Sequence, residues 1–259
     1  MKQFGKMASD ERLKEQVKRL FFEFKERYGY KRLTTELKKR GDCSNHKKVY
    51  RLMKEMGLKC IKFMRKTRKY NFYKRKVGAI AKNRMNRRFS TPITLQKLVT
   101  DVTEFKCIDG EKLYFSPILD LYNSEVIAYG INKRPTLDFV MNPLEEVMRL
   151  LKKHAKVRTT IHSDQGWQYQ NNRWVKTLKE KNEFQSISHK ATCADNACIE
   201  NFFGILKQEM YHGEVLMSYK TLKLKLEEYI DWYNHVRSKE KLTGLSPVDY
   251  REQTSQLAV

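Results

Sequence analysis

The chain has 259 residues, of which 40% are hydrophobic, and its 53 Lys and Arg outnumber 30 Asp and Glu to give a net charge of +23. The composition allows a packed core. There is no run of about 18 uncharged apolar residues and no apolar signal-peptide core, so we expect no membrane-spanning helix and no export. Residues 1–90 carry a net +22 and the remainder is nearly neutral, a pattern that predicts a nucleic-acid-binding arm on a folded body more than a membrane-surface protein.

The first 58 residues predict a small helical domain. Apolar residues at helical spacing indicate a helix over 10–27 and a short second helix that ends at Gly41. A third helix is capped by Ser44 or Asn45, with Gly57 just past its end. Two short helices around a glycine-containing turn resemble a helix-turn-helix, although an ordinary helical hairpin fits the same pattern equally well.

Residues 59–95 predict a basic linker. Positions 59–88 contain 13 Lys and Arg, no Asp or Glu, and several interleaved aromatic residues. Like charges oppose packing, so this segment is interpreted as an arm that follows phosphates and stacks on bases, with a merely solvated linker as the alternative. The candidate DNA contacts in the arm are Arg65, Lys66, Arg68 and Lys69.

Residues 96–259 predict an α/β core with a C-terminal helical extension. Strands are expected at 97–107, 113–121, 126–131, 157–162 and 185–188, and helices at 135–154, 171–182, 196–210 and 219–237. Asp109-Gly110 predicts a hairpin turn between the first two strands. Three strands followed by helix, strand, helix, strand and helix form a mixed sheet with helices on its faces, an order that resembles the ribonuclease H-like fold.

Three acids occupy positions where this topology would expose them together. Asp101 interrupts the apolar first strand, and a buried carboxylate is costly unless something neutralises it. Asp164 directly follows the fourth strand, at the edge where open α/β sheets bind ligands. Glu200 lies on a helix face that it shares with Asn196 and Lys207. The three carboxylates could therefore converge on hard divalent cations.

Such a cluster suits phosphodiester chemistry. Two Mg²⁺ ions about 3.5–4 Å apart activate an attacking water or 3′-hydroxyl and stabilise the leaving oxygen, and Mg²⁺ needs few protein ligands. Taken singly, each acid has an ordinary explanation as an ion-pair, turn or solvated helix residue. Asp120 at the end of the second strand competes for a place in the cluster, and Asp195 could join it or simply cap the helix of Glu200.

Several ordered motifs resemble one family. The strings LVTDVT (98–103), HSDQG (162–166) and CADNACIENFF (193–203) look like the catalytic blocks of the D,D(35)E transposases, and 35 residues separate Asp164 from Glu200. The strings YGYKRL (28–33), NHKKVYRLM (45–53), YIDWYN (229–234) and GLSPVDYR (244–251) are similar to the entry region and tail of OrfB-type transposases of the IS-three group of insertion sequences. The resemblance covers roughly residues 10–252.

The resemblance implies an integrase-type core that cuts DNA at element ends and transfers 3′-hydroxyls to new strands. It implies Mg²⁺, with Mn²⁺ as a substitute, in a two-metal site held by Asp101, Asp164 and Glu200. By analogy with integrases, Lys207 would contact DNA near the scissile phosphate, and Asn196 and Gln165 would line the site. The segments 92–96 and 192–194 depart from the family's usual residues, and no zinc-binding cluster precedes the core.

The resemblance also implies partners. These are the element's terminal inverted repeats, target DNA, further copies of the chain on DNA, and an upstream OrfA product joined to it by frameshifting. We expect such a protein in the bacterial cytoplasm, associated with the nucleoid and not with a membrane. A non-catalytic DNA-binding regulator and a ribonuclease H-type nuclease remain alternatives, which metal-dependent cleavage and an RNA–DNA hybrid substrate would discriminate.

Overall fold

A computed structural model describes residues 2–60, 81–189 and 192–256 of the chain, without the side chains of 2–9, 193, 255 and 256. The chain divides into two compact units, one formed by residues 1–66 with 238–245 and the other by residues 67–237 with 246–259. Within the described ranges, no helix has the length and apolar character needed to cross a bilayer.

The first unit contains three helices, as the sequence predicts: α1 (Lys2–Glu23), α2 (Tyr30–Lys39) and α3 (His46–Glu55). The first helix ends earlier than residue 27, because Lys25 and Glu26 adopt left-handed backbone angles with φ of 51° and 59°. Asn45 is the cap of α3, since its side chain accepts a 2.9 Å hydrogen bond from the backbone N–H of Lys47.

Residues 238–245 belong to this helical unit, although the sequence assigned them to the core domain. The buried hydroxyl of Tyr28 accepts a 2.9 Å hydrogen bond from the backbone N–H of Ser238. On the surface, Lys31 forms a 3.0 Å ion pair with Glu240. These two contacts join segments more than 200 positions apart in the chain.

The second unit is built on one mixed sheet. Its strands are β1 (Lys97–Thr100), β2 (Thr103–Lys106), β3 (Lys112–Asp120), β4 (Val126–Asn132), β5 (Thr160–Ser163) and β6 (Phe184–Ile187). Strand β3 is antiparallel to β1, β2 and β4, whereas β5 is parallel to both β1 and β6. The predicted hairpin at Asp109-Gly110 is confirmed, with Gly110 in the left-handed region at φ 71°.

The sequence prediction of one continuous strand over 97–107 is wrong. The structure splits it into β1 and β2, and Asp101 lies in the gap between them instead of mid-way along a strand. Both segments pair with β3 in one register, in which Thr100 faces Ile118 and Thr103 faces Phe115. That register sets residue 101 opposite Pro117, which has no amide hydrogen to contribute to a ladder.

The described part of this unit contains five α-helices, α4 (Leu137–His154), α5 (Asn172–Glu180), α6 (Ala197–Met210), α7 (Tyr219–His235) and α8 (Pro247–Gln256), of which α8 packs on α7. Side chains of α6 and α7 pack on the face that carries Val99 and Phe105. Side chains of α4 and α5 pack on the face that carries Leu98 and Ile161. The sequence predicted α7 as the last helix, but α8 follows it. The sequence of α8 has little amphipathic pattern, so hydrophobic spacing does not predict it.

The expected linker does not extend to residue 95. Residues 81–95 pack on the second unit, and Met85 is buried in the hydrophobic cluster beneath α6 and α7. The Lys97 ammonium donates hydrogen bonds to the backbone carbonyls of Arg88 (2.7 Å) and Ser90 (3.0 Å), which fixes this segment beside β1. Hydrophobic spacing alone could not place Met85, because basic residues surround it in the sequence.

Helix α4 approaches the sheet closely at one point. Pro143 lies within α4 and cannot donate the hydrogen bond that the carbonyl of Phe139 would otherwise accept. That carbonyl faces Gly130 of β4, where a Cβ atom would overlap the carbonyl oxygen. The glycine therefore lets the strand and the proline-containing turn of the helix come together.

Candidate active site

Asp101 and Asp164 lie at matching positions on two neighbouring parallel strands. In the β1–β5 pairing, Lys97, Leu98 and Val99 face residues 63 positions further along the chain, and 101 and 164 differ by the same number. Each acid comes immediately after its strand. Because neighbouring strands are about 4.8 Å apart, this register brings the two carboxylates to the same edge of the sheet.

Helix α6 brings the third acid to this edge. Glu200 lies in the first turn of α6, and Asn196 occupies the position before that helix. The Asn196 amide donates a 3.1 Å hydrogen bond to Oδ2 of Asp101, and the backbone N–H of Val102 donates a 2.7 Å bond to its Oδ1. The beginning of α6 is thus bonded directly to the gap between β1 and β2.

The three carboxylates influence one another electrostatically. Burial, followed by the charge of Asp164 and then that of Glu200, raises the pKa of Asp101 well above its usual value. Burial and the charge of Glu200 also raise the pKa of Asp164, against the 2.9 Å hydrogen bond that the Gly166 N–H donates to it. Ionised acids in this arrangement are destabilised unless positive charge is supplied.

A buried phenol lies under the two aspartates. The Tyr169 hydroxyl is 3.4 Å from the hydroxyl of Thr100, and the ring packs edge-to-face on Trp174. Burial, together with the charges of Asp101 and Asp164, raises the pKa of Tyr169 well above its usual value. The Tyr169 phenol therefore keeps its proton near neutral pH and adds no negative charge beside the acids.

The donor set fits a hard divalent cation. In the described part of the chain, no three His, Cys, Asp or Glu side chains are close enough to enclose an ion as they stand. Mg²⁺ does not need such an enclosure, since it commonly binds one or two carboxylates and completes its shell with water and phosphate oxygens. The mutual repulsion of oxygen ligands and the buried Oδ1 of Asn196, which lacks a hydrogen-bond partner among the described residues, both favour a cation here.

The two competing aspartates have other partners. Asp120 accepts hydrogen bonds from the hydroxyl of Thr94 (2.8 Å) and from the backbone N–H groups of Leu95 (2.7 Å) and Tyr122 (3.0 Å), so it anchors a turn. Asp195 makes no helix-capping bond, since Asn196 is the residue that precedes α6. Its side chain is buried and paired with Arg87, an interaction across 108 positions that the sequence pattern did not reveal.

Comparison with known proteins agrees with this geometry. Two family models, both described as "Integrase core domain", match residues 92–193 and 200–254, and an "HTH-like domain" matches residues 8–67. The "Putative transposase InsK for insertion sequence element IS150" of Escherichia coli is 41% identical over 93% of this chain and 83% of its own length. The "Transposase InsF for insertion sequence IS3A" of Escherichia coli is 30% identical over 90% of this chain and 80% of its own length. The chain belongs to the OrfB-type transposases of the IS-three group.

Among solved structures, this transposase is similar to the HTLV-2 integrase catalytic core domain in complex with magnesium, with a TM-score of 0.46 at 14% identity over 60% of this chain and 95% of that one. The family assignment rests on the sequence relatives. It confirms the predicted α/β core of ribonuclease H-like type, the helix-turn-helix-like first domain and the enzyme class, a DNA transposase with an integrase core. Enzymes of this family act on DNA and use divalent metal.

The residues predicted to contact DNA lie in different environments in the structure. Lys207 is buried, with its ammonium donating a 2.9 Å hydrogen bond to the Glu104 carbonyl and lying 5.0 Å from the Phe105 ring centre. The Gln165 amide, beside Asp164, donates a 3.1 Å bond to the Ser188 carbonyl. DNA contact by Lys207, Gln165 and Asn196 stays a prediction. The other predicted contacts, Arg65, Lys66, Arg68 and Lys69, lie outside the described residues.

Proposed function

We propose that Asp101, Asp164 and Glu200 are the acids with which this transposase binds divalent metal to cut element ends and transfer 3′-hydroxyls. The observation that carries the proposal is the parallel register of β1 and β5, which aligns Asp101 with Asp164. The effect of the Glu200 charge on the pKa of both aspartates supports its inclusion. These features support a proposed set of three hard oxygen ligands, two directly after strands and one on a helix.

Mg²⁺ is the proposed ion, with Mn²⁺ as a substitute, in a two-metal arrangement. Bound there, the ions would activate the attacking oxygen and neutralise charge on the scissile phosphate. Asp101, Asp164 and Glu200 are the residues that would hold the ions. Carboxylate oxygens suit Mg²⁺ because it is a small, hard cation that keeps most of its other ligands as water or phosphate.

The remaining chemistry belongs to residues that fix the acids. The Asn196 amide and the Val102 N–H both donate to Asp101, so its carboxylate is oriented before any substrate arrives. The Gly166 N–H performs the same task for Asp164. The neutral phenol of Tyr169, close enough for both acids to raise its pKa, adds no charge to the site. Such orientation lowers the reorganisation that the reaction requires.

DNA is the proposed partner, bound both by the basic first third of the chain and at the candidate active site. The element's terminal inverted repeats and the target duplex are bound by the basic first third of the chain, including Arg65, Lys66, Arg68 and Lys69, while Gln165 and Asn196 are the candidates near the scissile phosphate. The ammonium of Lys207 donates to the Glu104 carbonyl, so a salt-dependence measurement decides whether this lysine also contacts DNA. A reaction that joins two ends is best served by several copies of the chain on DNA, with an OrfA product as an additional or fused partner. The place of action is then the bacterial cytoplasm at the nucleoid.

The proposal is tested with Asp164→Asn in the full chain, on a duplex carrying the element's own end. Asp231→Asn is the matched control, because Asp231 is exposed on α7 and pairs only with the nearby His235 in the contacts described. We expect the Asp164 variant to lose strand transfer in Mg²⁺ while still binding the end, and the control to retain both. Mg²⁺ should raise the melting temperature of the wild type and the control but not that of Asp164→Asn. An Asp164 variant that transfers strands at the wild-type rate would overturn the proposal.

A further inference from the structure

Asp195 gathers donors from two separate segments. Its Oδ1 accepts a 3.0 Å hydrogen bond from Arg87, and its Oδ2 accepts bonds from the side chain of Asn83 (2.9 Å) and from the backbone N–H of His189 (3.1 Å). The Nδ1 atom of His189 lies 2.7 Å from the same oxygen and 3.1 Å from the amide nitrogen of Asn83. Only 3% of the Asp195 side chain is exposed, so this carboxylate is fully engaged by protein.

The backbone of Asp195 is held by a second series of hydrogen bonds. His162 Nε2 donates to the Asp195 carbonyl at 2.9 Å, which fixes the tautomer in which Nδ1 is an acceptor. The Ser186 hydroxyl then donates to Nδ1 at 2.8 Å and accepts from the backbone N–H of Arg84 at 2.9 Å. Each donor and acceptor in this series is satisfied, so the series runs without interruption from Arg84 to Asp195.

Both series begin in the same short segment and end beside the acids. Residues 83–87 supply Asn83, Arg84 and Arg87. Asp195 is followed directly by Asn196, whose amide holds Asp101, and then by the first turn of α6, which carries Glu200. The segment 83–87 also lies at the end of the basic arm, residues 59–88, in the sequence. A continuous set of hydrogen bonds therefore leads from the end of the arm to the metal-binding edge.

We propose that Asp195 is a positioning residue through which segment 83–87 holds the start of α6, so that Asn196 and Glu200 face Asp101 and Asp164. This inference rests on the proposed function of the three acids. Asp195 itself touches none of the three in the contacts described. Its role differs from that of an ordinary buried ion pair, because the expected consequence of losing it is local displacement of residues 192–200 and not general unfolding.

The experiment compares Asp195→Asn, Arg87→Ala and the double variant in the full chain, with Asp231→Asn as the matched aspartate–histidine control. Arg87 suits truncation because its side chain is largely exposed and its removal leaves no cavity. End binding, kcat and KM for strand transfer, and the Mg²⁺ concentration for half-maximal rate are measured on the element-end duplex. Hydrogen exchange of the peptide covering 192–200 is measured without metal, which gives a readout independent of activity.

We expect Asp195→Asn to lower kcat by about 10- to 100-fold, the usual cost of losing a residue that orients metal ligands, with KM and end binding nearly unchanged. Exchange of the 192–200 peptide should accelerate while that of β3 stays as in wild type. Arg87→Ala should show a smaller effect in the same direction, and the double variant should match Asp195→Asn because the two residues act through one contact.

Two results would overturn the inference. One is wild-type kcat and wild-type exchange at 192–200 in Asp195→Asn. The other is a loss of end binding in parallel with activity, together with faster exchange across the whole second unit, which indicates a purely structural role. Asp164→Asn in the same assays separates this inference from the proposed function: an inactive Asp164 variant beside a fully active Asp195 variant contradicts only the positioning role, whereas a fully active Asp164 variant contradicts the assignment of the acids.

Discussion

The amide of Asn196 is hydrogen-bonded to Asp101 across 95 positions of sequence, at 3.1 Å, and joins the start of α6 to the gap between β1 and β2. A hydrogen bond to a charged group typically contributes about 1.5–3 kcal/mol. Its special consequence here is geometric, because one contact fixes both the first acid and the helix that carries Glu200.

Replacing Asn196 by alanine should therefore impair catalysis more than folding. We expect strand transfer to fall by about 10- to 100-fold and to require more Mg²⁺, because Asp101 loses one of its two fixed donors. The control is Asn171→Ala, since Asn171 caps α5 and its loss costs about 1 kcal/mol of stability away from the acids. Equal rates in the two variants would contradict the orienting role of Asn196.

Lys207→Met tests whether this lysine binds DNA or packs α6 on β2. Because its ammonium donates to the Glu104 carbonyl within a buried setting, we expect the urea midpoint to fall by the equivalent of about 1–3 kcal/mol. The salt dependence of end binding should stay the same. A slope of log K against log salt reduced by about 0.9, with unchanged stability, would instead indicate a lost phosphate contact. Lys223→Met, an exposed lysine on α7, serves as the control.

The buried carboxylate of Asp195 predicts a specific pH dependence. Burial acts to raise its pKa, but the hydrogen bonds from Arg87 and His189 outweigh that effect and hold the pKa at about 2, below the usual 3.8. A lowered folded-state pKa stabilises the protein above the unfolded value and loses that stabilisation as pH falls. Asp195→Asn should thus melt below wild type at pH 5–7, and the difference should shrink from about pH 4 towards pH 2. A difference that is constant over this range would rule out the charge as its cause.

Gly130→Ala should destabilise the second unit. The added methyl group would overlap the Phe139 carbonyl at the proline-containing turn of α4, and overpacking of this kind costs about 1–3 kcal/mol. Thermal unfolding measures the effect. Gly29→Ala is the matched control, because a Cβ atom there would meet only the Cys60 sulfur at an ordinary 3.7 Å. Equal melting temperatures for the two variants would show that α4 can withdraw from β4 at little cost.

Local sequence patterns predicted much of the fold. Helical spacing and the Asn45 cap predicted α3 closely, and Asp109-Gly110 predicted the hairpin that joins β2 to β3. The break in the first strand was not predictable from its own residues, because its cause lies opposite, at Pro117. The helix α8 was missed because its apolar residues are not collected on one face of the helix.

The candidate site also has some features that local sequence patterns predict and others that they do not. The positions of Asp164 after a strand and of Glu200 on a helix face could be inferred, since both are local properties, whereas Asp101 was expected inside a strand and lies in the gap between β1 and β2. The pairing of Asp195 with Arg87 and of Lys207 with Glu104 could not be inferred, because each contact spans more than 100 positions and depends on tertiary packing. Burial of Lys207 in particular has no local signal, since a lysine on a helix is usually solvated.

The gap between β1 and β2 contains two residues, and that even number has a consequence for how this chain can change in length. Side chains alternate along a strand, so an even gap returns Phe105 to the face of the sheet that Val99 occupies. Adding or deleting a single residue between Thr100 and Thr103 would turn Phe105 towards the opposite face and Lys106 into the core. Insertions and deletions at this point are therefore restricted to steps of two residues. The number of residues between Asp101 and the hairpin can change only by an even number.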